Sequence, residues 1–257
     1  MDLGLTDKVA IVTGASRGIG RAIAYLLSEE GAKLVLVARS RVQLDELAAS
    51  LPGDSLVFDA DLRDANVPGK IVEAAVRHFD SLDIVVNNAG STKRGAFLAL
   101  DDAQWADGFA LKFFGAMRLC RAAWPQLRAA HGCIVNIVGI GGHTGNADFT
   151  IGGSVNAALL NLTKALADLG TADGVRVNAI NPGSIRTGRL ENRIKRYEAD
   201  HGLNEDEASE RMAREAGIAR FGMADEIARA VAFLASPFSA YIHGALLDVD
   251  GGQTKAL

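Results

Sequence analysis

Seven short runs rich in β-branched residues alternate with longer segments of helical period, and this alternation limits what the chain can become. The runs are KVAIVT (8–13), KLVLVA (33–38), SLVFDA (55–60), LDIVVN (82–87), CIVNIV (133–138), VRVNAI (175–180) and ALLDVD (245–250). Helical patterns lie near 18–30, 41–51, 67–79, 102–130, 154–170 and 224–236. Strands joined by crossover helices predict an α/β fold: a seven-stranded parallel sheet with helices on both faces. The runs are almost continuously apolar, as a sheet covered on both sides requires. No repeat, low-complexity tract or long linker breaks the rhythm, so one domain over 1–257 is expected.

Composition excludes several classes. The chain has 257 residues, 49% hydrophobic and 23% charged, enough to bury a sizeable core. A net charge of −4 argues against a nucleic-acid partner. No apolar run approaches the roughly 20 residues that span a bilayer, so no membrane partner is expected. The start, MDLGLTDKVAIVTG, lacks the basic-then-apolar order of a secretory signal. Cys120 and Cys133 stand in apolar surroundings and read as buried thiols in a reducing cytoplasm. The five histidines are scattered without metal-ligand spacing, and no metal is expected.

One region departs from the alternation. Residues 188–217, GRLENRIKRYEADHGLNEDEASERMAREAG, form a charged, helix-prone insertion between the sixth and seventh runs. Connections leaving the C-terminal ends of parallel strands surround the ligand crevice, so the insertion reads as a lid or substrate loop. Arg189, Arg193, Lys195 and Arg196 cluster in its first half. They suit either an anionic substrate or a solvated charged face.

The first run leads into TGASRGIG (13–20) and then a helix. Gly14, Gly18 and Gly20 fit a tight turn, close approach of backbone to phosphate, and close packing of helix on strand. Ser16, Arg17 and Ile19 fill the turn, whose free N–H groups at the helix start can hold a pyrophosphate. Arg39 stands at the tip of the second run, where an acidic residue would bind a ribose 2′-hydroxyl. A guanidinium there suits a 2′-phosphate, with Arg17 on the other side, so NADP(H) is expected over NAD(H).

Further motifs follow in order: Asp61-Leu62 after the third run, NNAG (87–90) after the fourth, NPGSIRT (181–187) after the sixth, and DVDGG (248–252) near the end. In that order and spacing the chain resembles the short-chain dehydrogenase/reductase family over essentially its whole length. The resemblance implies a single-domain Rossmann fold, a nicotinamide cofactor, alcohol–carbonyl interconversion of a small molecule, and a homo-oligomer (dimer or tetramer). It implies that Asp61 and Leu62 meet the adenine and that Asn88, Ala89 and Gly90 line the ribose. It places Pro182, Gly183, Ile185 and Thr187 around the nicotinamide and its carboxamide.

The family's chemistry rests on Asn, Ser, Tyr and Lys, and here the matching positions differ. NAALLNLTKAL (156–166) puts Asn156 at the lysine position, with Gly152 at the tyrosine position four residues earlier. Gly139, after IVNIV, takes the serine position, and Lys112, in FALKFFG, the asparagine position. The three tyrosines are Tyr25, Tyr197 and Tyr241, so no register shift supplies one between 26 and 196. Proton transfer to a carbonyl needs another group within reach. Lys112 is one candidate, since burial can lower its pKa, though its ammonium could instead snorkel to solvent. His143, in GIGGHTGN, is a second, as a residue type that titrates near neutrality. Asn156 can still meet a ribose hydroxyl, Gly152 can leave room for substrate, water or Lys112, and Tyr197 can reach inward from the lid. Asp148, Thr150 and Ser154 are weaker candidates, with Thr150 or Ser154 expected to cap the following helix.

The reading is an NADP-dependent oxidoreductase with a non-standard acid/base site. The alternatives are a cofactor-binding protein without redox activity, a sensor or inactive oligomer partner, and non-redox chemistry on the same fold.

Overall fold

The computed structural model describes residues 2–255. The strands are β1 (Val9–Thr13), β2 (Lys33–Ala38), β3 (Ser55–Asp59), β4 (Ile84–Asn87), β5 (Cys133–Ile137), β6 (Arg176–Pro182), β7 (Ile185–Arg186), β8 (Gly222–Met223) and β9 (Leu246–Val249). The helices are α1 (Gly18–Glu29), α2 (Arg41–Ser50), α3 (Val67–Phe79), α4 (Asp102–Phe109), α5 (Gly115–Ala130), α6 (Thr150–Asp173), α7 (Gly188–His201), α8 (Glu205–Glu215) and α9 (Ala224–Ala235). Seven strands form one sheet in the order β3-β2-β1-β4-β5-β6-β9, and every ladder in it is parallel. The chain runs outward from β1 to β3 and then returns to lay β4 on the other side of β1. That reversal opens a crevice at the C-terminal tips of β1 and β4, where open sheets of this kind bind ligands.

Alternate residues of each strand serve opposite faces. Ala10, Val12, Leu34, Leu36, Val86 and Val135 pack with Ile23 and Leu27 of α1 and Ile227 and Val231 of α9. Val9, Ile11, Val35, Val37, Val85 and Ile134 pack with Ile71 of α3 and Leu119 and Leu127 of α5. Both faces are covered, which is why the inner runs are apolar without alternation. The edge strands differ: β3 and β9 are only partly buried, because each lies at the margin of the sheet. A buried polar chain crosses the interior, from Asn87 Nδ2 to Asn136 Oδ1 (2.8 Å) and from Asn136 Nδ2 to Thr163 Oγ1 (2.9 Å). It fixes β4, β5 and α6 against one another, since slippage would strand buried polar groups. Cys120 and Cys133 are buried free thiols, and burial pushes them up to about 12 and about 11. Among the described residues no helix is long and apolar enough to cross a membrane.

Three boundaries depart from expectation. The helix anticipated over 102–130 is α4 and α5 joined by a π turn at Ala110–Phe114. The wider turn re-phases the helix between two close contacts. A Cβ on Gly108 would lie 2.4 Å from Ile151 of α6, and one on Gly115 would lie 3.1 Å from Leu62. The helix expected from 154 begins at Thr150, so Gly152 and Gly153 lie in its first turn. Neither Thr150 nor Ser154 caps it: Phe149 occupies the N-cap position and no side chain supplies a capping hydrogen bond. The charged insertion folds as α7 and α8, of which α8 starts on an Asn204/Glu207 capping box. Leu190, Ile194, Ala208 and Ala213 form a small core of their own with Ile218 and Phe221.

Ile11 is fully buried between the two helical layers. Ile11→Ala is expected to cost about 2–5 kcal/mol, measured as a lower urea midpoint at unchanged slope.

Candidate functional site

Beyond β1 the backbone turns at Gly14 (φ +68) and enters α1 at Gly18 (φ +57), a left-handed conformation that suits glycine. Gly20 is required by space: a Cβ there would lie 2.2 Å from the Gly14 carbonyl oxygen and 2.5 Å from Asn88 Nδ2. Asn88 Nδ2 donates to the Thr13 carbonyl (2.9 Å) and the Gly14 carbonyl (3.3 Å). The backbone N–H groups of Asn88 and Ala89 donate to Thr13 Oγ1 at 2.9 and 3.0 Å. The tips of β1 and β4 are thereby clasped. Arg17, at the N-cap, is extended and makes no capping bond with its side chain, so the first N–H groups of α1 remain for a ligand. Thr187 closes the turn from the far side, its methyl 3.3 Å from the Cβ position of Gly18.

Arg39 extends from the tip of β2, its side chain 68% exposed, with Nη1 3.9 Å from Asp61 Oδ2. That loose exposed pair contributes at most about 1 kcal/mol, so the guanidinium is free to turn to a stronger anion. Asp61 also accepts from both the backbone N–H and the guanidinium of Arg63, which reaches Asp107 at 2.6 Å. Leu62 is 4% exposed, its side chain packed in the core.

Lys112 points inward, not to solvent. Its Nζ donates to the Val138 carbonyl (2.5 Å) and to Asn156 Oδ1 (2.6 Å). Asn156 Nδ2 donates in turn to the Gly139 carbonyl at 3.4 Å. The lysine stem runs past Gly90, where a Cβ would lie 3.0 Å from Lys112 Cδ. Desolvation, reinforced by the Arg189 charge, lowers the Lys112 pKa to about 7. Arg189, on the first turn of α7, donates from Nη2 to the Gly90 carbonyl at 2.6 Å. Desolvation and the charge of Arg17 lower its pKa. Lys112, Arg189 and Arg17 therefore share the crevice.

The space beside Gly152 is not open to Lys112, substrate or water. The Phe149 ring fills it, with ring carbons 2.0–2.6 Å from where a Gly152 Cβ would stand. The Arg94 guanidinium stacks 4.1 Å above that ring. His143 Nε2 lies 2.9 Å from Asn181 Nδ2 and 3.5 Å from Asp248 Oδ1, a setting between β6 and β9. Tyr197 does not reach inward: its hydroxyl donates to Glu215 Oε1 at 2.7 Å and its ring stacks on His201. Tyr25 and Tyr241 are exposed. Ser154 and Asp148 are exposed, and the Thr150 hydroxyl is buried without a partner. Gly183 packs against Asp250, where a Cβ would come within 2.7 Å, and the Pro182 carbonyl lies 3.8 Å from the Cβ position of Gly139. Ile185 is buried, so its side chain faces the core. Thr13, Val138, Phe149 and Arg94 are the participants that motif reading misses. Thr13 ends the first run, but the other three carry no local signal.

The family profile described as Enoyl-(Acyl carrier protein) reductase matches residues 14–254. The 3-oxoacyl-(acyl carrier protein) reductase FabG of Staphylococcus aureus is 34% identical over 254 residues, covering 96% of this chain and 98% of that protein. The crystal structure of L-sorbose reductase from Gluconobacter frateurii complexed with NADPH and L-sorbose superposes with a TM-score of 0.95. Identity there is 34%, with 100% of both chains covered. An NADPH-bound short chain oxidoreductase from Pseudomonas aeruginosa PAO1, described as containing an atypical catalytic center, superposes at 0.88 with 33% identity and 98% of each chain covered. These relatives are oxidoreductases, and the fold is shared with the two solved structures. The chain belongs to the short-chain dehydrogenase/reductase family.

Proposed function

We propose that this protein is an NADP(H)-dependent oxidoreductase interconverting a small alcohol and carbonyl, with Lys112 exchanging the proton at the substrate oxygen. The observation that carries the reading is the enclosure of the Lys112 ammonium between Val138 and Asn156. An ammonium has three hydrogens, and two are taken. The third is left for a substrate oxygen. When Lys112 is neutral, its two N–H groups keep both partners and the lone pair faces the substrate as a base. Both protonation states are satisfied, which a group that alternates between acid and base needs.

The positions matched to the family's serine and tyrosine support a rearranged site. Gly139 sits at φ +125, where a serine would be strained. Gly152 has no room for a side chain while Phe149 lies over it. Asn156, at the lysine position, becomes a positioning residue that holds Lys112. His143 is the poorer candidate, since its ring is engaged with Asn181 and Asp248.

The residues fit the cofactor. The uncapped start of α1 and the turn of Gly14, Ser16, Arg17, Gly18, Ile19 and Gly20 would hold the pyrophosphate, and Asp61 with the Leu62 backbone would hold the adenine. Arg39 and Arg17 would take the 2′-phosphate. Asn88, Ala89, Gly90 and Asn156 would line the ribose, and Pro182, Gly183, Ile185 and Thr187 the nicotinamide. When bound, the nicotinamide supplies or accepts the hydride. Residues 188–217 act as a lid over the crevice, and the protein works as a homo-oligomer. Relatives 33–34% identical to this chain bind NADPH in their solved structures, which supports the same cofactor here.

The pH dependence follows from Lys112. Desolvation and Arg189 hold its pKa down at about 7, and phosphates bound nearby would raise it. Carbonyl reduction requires the ammonium, so kcat/KM for reduction falls as pH rises through this pKa, and alcohol oxidation rises. Lys112→Met is expected to remove that dependence and cost about 10²–10⁴-fold in steady-state NADPH oxidation across pH 5.5–9.5. An unchanged rate and pH profile would refute the assignment. Fluorescence titration showing tight NADPH binding with no turnover of any carbonyl or alcohol would favour the non-redox alternative. Arg39→Asp is expected to weaken NADPH about tenfold or more and NADH little; equal losses in the same titration would sink the 2′-phosphate clamp.

A further inference from the structure

The crevice holds more positive charge than a nicotinamide cofactor uses. Arg17 and Arg39 lie toward the adenosine end, and Lys112 toward the nicotinamide end. Two further arginines stand on the substrate side. Arg94 is on the connection between β4 and α4, which is tied to the loop before α6 by the Gly95 N–H donating to the Asp148 carbonyl at 3.2 Å. Its guanidinium lies 4.1 Å over Phe149, the ring that occupies the Gly152 site. Arg193 is one turn beyond Arg189 on α7, an i, i+4 neighbour on the same side of the helix. Arg189 on that same face reaches Gly90, so the face overlooks the crevice. Among the described residues neither Arg94 nor Arg193 forms an ion pair, and neither does Arg189 or Lys112.

Some arginines of this chain find carboxylates, as Arg63 finds Asp61 and Asp107, and Arg220 finds Glu226. Arg94, stacked on Phe149, has none among the described residues. Desolvation and the charge of Arg193 lower the Arg94 pKa, opposed only by Asp148. Neighbouring like charges are unfavourable until an anion joins them. A planar guanidinium stacked on an aromatic face is pre-organised for a carboxylate or phosphate, because stacking leaves its in-plane N–H donors free.

We infer that the substrate is an organic anion, a carbonyl compound whose carboxylate or phosphate is held between Arg94 and Arg193 while its carbonyl oxygen lies at Lys112. Arg94 then sets specificity through the Phe149 platform, and Arg193 adds its charge as α7 covers the crevice. The inference rests on the oxidoreductase reading above.

The test separates the two. NADPH oxidation is followed with matched probes: acetoacetate against methyl acetoacetate, and fructose 6-phosphate against fructose. At least one anionic probe is expected to exceed its neutral partner about tenfold in kcat/KM, and Arg94→Gln or Arg193→Gln should bring that ratio close to one, mainly through KM. A ratio near one in the wild type, or one unchanged by both variants, overturns the inference while leaving the oxidoreductase reading in place. Arg193 lies outside the packed core, so its variant keeps the test valid if loss of Arg94 unsettles Phe149. Absence of all turnover would count against the oxidoreductase reading, and calorimetry then decides this one. Succinate and inorganic phosphate are titrated into the NADP⁺ complex. A saturable heat in the wild type that either variant abolishes supports the anion site and shows which anion it takes; no heat in the wild type overturns it.

Discussion

The clasp between Thr13 and Asn88 is the constraint on which the rest of this site depends. Where the strand order reverses, β1 and β4 part at their tips and leave backbone polar groups facing a crevice. Thr13 Oγ1 accepts from two N–H groups beyond β4, and Asn88 returns two hydrogen bonds to the end of β1. The glycine turn is built against this clasp so closely that Gly20 has no space for a methyl. The N–H groups of α1 are thereby aimed at a fixed point, and a ligand phosphate placed there sets the distance to everything downstream.

Downstream, the π turn between α4 and α5 matters most. It lies between the close contacts of Gly108 with Ile151 and of Gly115 with Leu62. The widened turn directs Lys112 at Asn156 and the Val138 carbonyl. Extra turns of this kind frequently occur at functional sites for this reason. The lysine then sits in low polarity beside Arg189, which is why it loses its ordinary basicity. Phe149 adds an apolar platform: a ring from the preceding turn covers Gly152.

The parallel sheet, its seven strands, and most helix limits were legible because each depends on the period of apolar residues along the chain. The edge strands and the 102–130 helix were less so. Burial at the edge of a sheet depends on what lies beside it, and the π turn answers contacts with Leu62 and Ile151 rather than any pattern of its own. At the site, Gly14, Gly18 and Gly20 were readable because glycine alone meets their backbone and space. Lys112 was readable as a gained lysine but not as an inward one, since 3.6-residue periodicity leaves its direction open at a widened turn. Tyr197 failed as a candidate because Glu215, distant in sequence, holds its hydroxyl.

The sequence by itself determined the fold, the nucleotide turn and the absence of a tyrosine between 26 and 196, since these are properties of residue type and order. The tertiary structure alone decided what occupies the space over Gly152. Arg94 and Lys112 lie on the connection between β4 and β5, Phe149 and Asn156 on that between β5 and β6, and the two come together only when the strands bring both connections to one end of the sheet. Charge and desolvation act through space, so the lowered basicity of Lys112 and the unpaired Arg94 stacked on Phe149 exist only in the folded chain.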